Sequence, residues 1–83
     1  MTVHKLPVSR STENPADLAQ AVHVDLYMGR HDLGTQNLVV AAYRVAEVWK
    51  PFPWSWFTPD DNHVFLEVPE GTNLNPHEVL IVT

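Results

Sequence analysis

Five histidines, His4, His23, His31, His63 and His77, are the residues of this chain best suited to chemistry near neutral pH. Two of them stand beside an aspartate, in His23-Val24-Asp25 and in His31-Asp32. A carboxylate that orients an imidazole can make it a general base, so these pairs define a nominal His/Asp enzyme reading. Neighbouring residues seldom face each other productively, however, and a nucleophile is hard to find. Cysteine is absent, and Ser9, Ser11 and Ser55 sit in no nucleophile-elbow context. Gly29, Gly34 and Gly71 lie too far apart to form a phosphate loop. No two histidines have the i, i+4 spacing of a helical zinc site. Asp60-Asp61-Asn62 resembles a fragment of a calcium loop, but Phe65 and Leu66 fall where oxygen ligands should be, so the segment reads as a turn. No metal and no cofactor are expected.

The other unusual residues are aromatic. The stretch Lys50 to Phe57, KPFPWSWF, holds Phe52, Trp54, Trp56 and Phe57, and Trp49 precedes it. Pro51 and Pro53 deny this run a helix interior. Each large aromatic buries about 150–250 Å². The loop can therefore fold back to close a small core, or it can anchor an interface, where tryptophan and tyrosine dominate binding energy. Stacking on nucleic-acid bases would require a basic groove as well. Lys5, Arg10, Arg30, Arg44 and Lys50 are scattered and form none. Tyr43, Trp49, Phe52, Trp54, Trp56 and Phe57 are the candidate binding residues.

The elements that must position them read as β-α-α-β-β. Thr2 to Val8 is a short strand that joins one edge of a sheet. Asn14 caps a first helix, Pro15 suits its first turn, and Leu18, Val22 and Leu26 line one face. Gly29 fits the left-handed position after its last turn. One residue resists: Asp25 falls inside the apolar face and would need a partner, with Arg44 as the helix-borne candidate. From Ala21 to Met28 the pattern also alternates as a strand does. The cap and the leucine spacing favour helix. A second helix, capped by Thr35, runs through Leu38, Ala41, Ala42, Val45, Val48 and Trp49, and it is apolar nearly all round. Its β-branched residues leave a strand reading open here too. His63 to Val68 and Glu78 to Thr83 are strands, expected as an antiparallel pair. The expected fold is a two-layer α+β domain with both helices on one face of the sheet.

At 83 residues the chain is a single domain, 1–83, near the lower limit for folding alone, and without cysteine no disulfide supports it. A charged fraction of 18%, below the usual ~25%, leaves room for an apolar contact surface. The net charge of −5 argues against binding to nucleic-acid phosphates and suits a basic protein surface. No apolar run approaches the ~18 residues of a membrane span and no leader is evident, so the expectation is a cytoplasmic protein. The favoured function is a small non-catalytic protein that binds another protein and self-associates. It would suit an accessory or inhibitory role, such as that of a phage or mobile-element protein blocking a host factor. The alternative is an oligomeric binder of a flat, nucleotide-like ligand in an aromatic-lined pocket.

Overall fold

The computed structural model describes residues 1–11, 24–45, 47–72 and 78–83. Among them are eight strands and no helix. They are β1 (Val3–Pro7), β2 (Ser9–Ser11), β3 (Val24–Arg30), β4 (Val39–Val45), β5 (Val48–Pro51), β6 (Ser55–Phe57), β7 (His63–Pro69) and β8 (Glu78–Val82). The expected α+β architecture is therefore wrong: the described chain is all-β. The strands form two four-stranded antiparallel sheets, β1-β8-β4-β5 (sheet A) and β2-β3-β7-β6 (sheet B).

Both expected helices give way to strands. The first is overturned over Val24–Arg30, which is β3; its cap and first turns, Asn14 to His23, lie outside the described residues. The second is the β4–β5 hairpin, in which Arg44 pairs with Trp49 and Ala42 with Pro51. Thr35 caps no helix; its hydroxyl accepts the Asn37 N–H at 3.0 Å within a turn. Gly29 is not in the left-handed region, which among glycines is occupied by Gly34 and Gly71. Strands do occur where expected near both ends of the chain, but β7 and β8 are not partners. They belong to different sheets, and β8 lies between β1 and β4.

The chain changes sheet at both edges. β1, an edge of sheet A, runs through Val8 into β2, an edge of sheet B; β5 runs through Phe52 to Trp54 into β6 at the other edges. Strands that turn such corners join two packed sheets and leave little open edge to aggregate. The prolines suit these places: Pro7 and Pro51 end strands, and Pro53 lies between them, where a missing N–H costs the ladder least.

The core lies between the sheets. Sheet A contributes Leu6, Val40, Val79 and Ile81; sheet B contributes Tyr27, Val64, Leu66 and Val68. Val64, Leu66, Val68, Val79 and Ile81 are fully buried. Leu26 and Phe65 are buried on the opposite face of sheet B, apart from this core. Burial alternates along β1 and β8, as a half-covered sheet requires, whereas β3 and β7 each bury three consecutive residues.

Asp25 is on the core side of β3, in register with Val68, and is 9% exposed. The element is a strand, yet the buried carboxylate remains. Its partner is Arg10, whose Nη2 donates to Oδ1 at 2.9 Å, while the Gly71 N–H donates to Oδ2 at 3.2 Å. Arg44 is instead paired with Glu78 at 3.3 Å. Gly71, at φ 83°, occupies a conformation open to glycine, and this aims its amide at Asp25.

Gly29 marks the closest approach of the sheets at the first corner. A Cβ there would stand 2.6 Å from Leu6 Cδ2 and 2.9 Å from Val8 Cγ1. Leu6 can swing partly aside, but the short, stiff Val8 side chain cannot. Gly29→Ala is expected to cost about 1–3 kcal/mol by overpacking, read as a lower urea midpoint with an unchanged slope.

Candidate functional site

The aromatic loop is the second sheet-changing corner. Its geometry starts in β4, where the pairing with β8 slips by one residue between Val40 and Ala42, leaving Ala41 as a bulge. The bulge shifts the alternation, so that Tyr43 comes opposite the buried Val79 and turns inward. The Ala41 carbonyl accepts the Phe52 N–H at 3.0 Å, which carries the hairpin pairing one residue past Pro51. Phe52 thus enters the core and is 9% exposed.

Tyr43, Trp54 and Trp56 gather round it, half-buried. Phe52 meets Trp54 edge-on at 5.4 Å, Tyr43 at 6.3 Å and Trp56 at 6.3 Å; Tyr43 and Trp54 lie 5.0 Å apart. Four of the six candidate residues are therefore one cluster packed on the core. The other two are separate. Phe57 stacks on Phe65 at 5.3 Å. Trp49 stands opposite Arg44, on the outward side of sheet A.

Two surfaces follow. The first is the outer face of sheet A. Val3, Val82 and Val39 stand in one cross-strand row, and Lys5, Leu80, Ala42 and Pro51 in the next. Val3 is 56% and Val39 51% exposed. Trp49 and the Arg44–Glu78 ion pair complete this face. The second is an open cleft of about 370 Å³ beside the corner. Pro53, Trp54 and Ser55 form one wall; Val24, Glu67, Val68 and Pro69 form the rest. Among the described residues, no histidine lines it.

The histidines go elsewhere. His31 and Asp32 do not bond to each other: His31 Nδ1 accepts the Leu33 N–H at 3.0 Å, and Asp32 pairs with Arg30 at 2.7 Å. His31 Nε2 is buried without a hydrogen-bond partner among the described residues. His63 Nδ1 lies 2.9 Å from both oxygens of Asp60. His4 meets the Thr83 hydroxyl at 3.4 Å. His23 and His77 lie outside the described residues. Among the described residues, no three His, Asp or Glu side chains gather as a metal site would require, and no helix is long and apolar enough to cross a membrane.

Asp60 organises the polar end of the molecule. Its Oδ1 accepts the Asn62 N–H at 2.7 Å; the Asn62 and Asp61 carbonyls in turn bind the amides of His31 and Thr35. Sequence reasoning offered an aromatic-lined pocket at Trp54 but neither its other walls nor the outer face of sheet A. The outer face needed the strand register, and the cleft needed the pairing of β6 with β7. The hint for the cleft was the position of Trp54 and Ser55 among prolines.

Comparison with protein-family models, curated proteins and solved structures finds no match for this chain.

Two outcomes test this geometry. Phe52→Ala is expected to cost about 3–5 kcal/mol, much of the stability of so small a domain, whereas Trp49→Ala leaves the melting transition nearly in place. The Asn62 N–H and then the His63 ring hold the Asp60 carboxyl below the ordinary aspartate range. A depressed carboxyl stabilises the fold above its unfolded value, about 3.9, and this contribution is lost as pH falls through its lower folded value. A carboxyl-carbon NMR titration should place the Asp60 midpoint below that of a free aspartate, and His63→Leu should move it part of the way back.

Proposed function

We propose that this protein is a non-catalytic binding protein that docks against another protein chain through the outer face of sheet A, with a second copy of itself as the first occupant. The observation that carries this reading is the row Val3–Val82–Val39. It puts β-branched side chains on an exposed sheet face, with Val3 and Val39 more than half exposed. The all-round apolar helix first expected to form the interface does not exist; the apolar surplus of that segment is divided between the core and this face.

Charge supports the choice of face. The chain carries −5 overall. On this face Lys5 offers a positive charge and Arg44 is neutralised by Glu78. Two copies of an acidic protein would meet here with little of the repulsion they would feel elsewhere. Size sets the strength. Four strands at about 4.8 Å spacing and five residues at about 3.3 Å cover roughly 300 Å². A stable interface buries about 800 Å² per partner, so this one forms a weak, concentration-dependent dimer. A face of this kind also suits an accessory or inhibitory protein that acts by covering a surface of its target, in the reducing compartment that a cysteine-free chain fits.

Light scattering across a concentration series tests the proposal. The wild type should rise from monomer toward dimer mass, and Val39→Lys combined with Val3→Lys should stay at monomer mass while keeping its far-ultraviolet circular dichroism. A wild type that stays monomeric throughout, or a double variant that still dimerises, would overturn it.

A further inference from the structure

The cleft beside the second corner contains an uncompensated charge. Glu67 lies in β7 with Leu26 and Ser55 as its cross-strand neighbours, and neither can neutralise it. It is half-buried, and it forms no hydrogen bond or ion pair among the described residues. The lysines and arginines of the chain, all among the described residues, lie elsewhere. Arg10 holds Asp25, Arg30 holds Asp32 and Arg44 holds Glu78, while Lys5 and Lys50 belong to sheet A. The other described residues lining the cleft, Val24, Pro53, Trp54, Ser55, Val68 and Pro69, are apolar apart from the serine hydroxyl.

We propose that this cleft binds an organic cation, a guanidinium or ammonium group, with Glu67 as its counter-ion and Trp54 as its aromatic wall. A half-buried carboxylate without a countercharge gains from a cation brought to it, and an indole beside that cation adds attraction through its ring electrons. A volume of about 370 Å³ accommodates one such head group with its stem, at the small end of ligand sites. Phosphate-bearing ligands are disfavoured, because among the described residues the only charge lining the cleft is negative. The flat nucleotide-like ligand considered from sequence therefore gives way to a cation. The group can come from an arginine or lysine of a partner protein or from a free amine. This site is separate from the outer face of sheet A, and either proposal can fail alone.

The test is an NMR titration that follows the Trp54 indole N–H, assigned by its loss in Trp54→Phe. Arginine amide serves as the free cation, and a short neutral peptide with one central arginine serves as the protein-borne one. Both should shift the Trp54 and Ser55 signals saturably, and added salt should weaken the effect. Glu67→Gln should weaken binding about ten-fold or more, as expected for loss of a charged hydrogen-bond partner. Glu67→Asp, which keeps the charge, should retain part of it. Tighter binding of the peptide identifies a partner's side chain as the ligand; equal binding identifies a free cation. The proposal is overturned if neither probe shifts Trp54 by about 10 mM, a concentration at which even a weak specific site responds. It is also overturned if a folded Glu67→Gln protein binds as the wild type does, or if an uncharged amide of the same size produces the same shifts.

Discussion

The hydrogen bond from the Phe52 N–H to the Ala41 carbonyl is the interaction on which the rest of the structure turns. A chain that passes from one sheet to another must leave one ladder before it enters the next. Backbone groups at such a corner are at risk of being buried unpaired, at about 1–3 kcal/mol each. Here the bulge at Ala41 supplies the acceptor, so Phe52 remains attached to sheet A while its ring moves between the sheets. The same bulge reverses the alternation of β4 and turns Tyr43 inward to meet it. One extra residue thus sets the corner, the aromatic cluster and the sidedness of sheet A beyond Ala41. The first corner is simpler: Val8 spans it, and Gly29 gives way to Leu6 and Val8.

The two sheets then use their surfaces differently. In sheet A the inward residues Val79 and Ile81 are fully buried, while Leu80 and Val82 on the other side are half-buried and Val3 and Val39 open. In sheet B both faces of β7 are buried at its centre, with Leu66 inward and Phe65 outward. A small domain with 45% apolar residues cannot place them all between two sheets. The excess is partly covered on sheet B and left uncovered on sheet A, on the face proposed as the docking surface.

The strand ends of the chain were legible because β1, β7 and β8 show the alternation or the continuous apolar run that strands require. The middle was misread for physical reasons. In β4 the bulge places Val40 and Tyr43 on one face, three residues apart, which is a helical spacing. In β3 the apolar residues Val24, Leu26 and Met28 all face away from the main core, and Asp25, Tyr27 and Gly29 face toward it. A pattern search therefore finds its apolar stripe on the less informative side. Asp25 was the sign that something was amiss, since a carboxylate within an apolar helical face had no good account. The site was legible in part. Phe52 and its neighbours were evident as the heaviest apolar residues, but their division into a core cluster, the outward Trp49 and the Phe57–Phe65 stack depends on register. Glu67 carried no signal at all, because its significance is that no cation among the described residues pairs with it.

Asp25 and Glu67 are instructive together. Both are in sheet B, one on each face and near the same end, for Asp25 pairs with Val68 and Glu67 with Leu26. Asp25 is the more deeply buried, and the fold answers it fully with a guanidinium on one oxygen and a glycine amide on the other. That answer requires Gly71 in a left-handed conformation and Arg10 held at the sheet edge, two constraints on distant parts of the chain. Glu67 receives nothing comparable, although the exposed Lys5 and Lys50 show that cations were not lacking. Leaving a half-buried carboxylate unpaired among the described residues costs stability that a glutamine at the same place would recover. In a domain with so little stability to spend, a charge kept at that cost beside a tryptophan is better explained by something that comes to it from outside than by the packing of the fold itself.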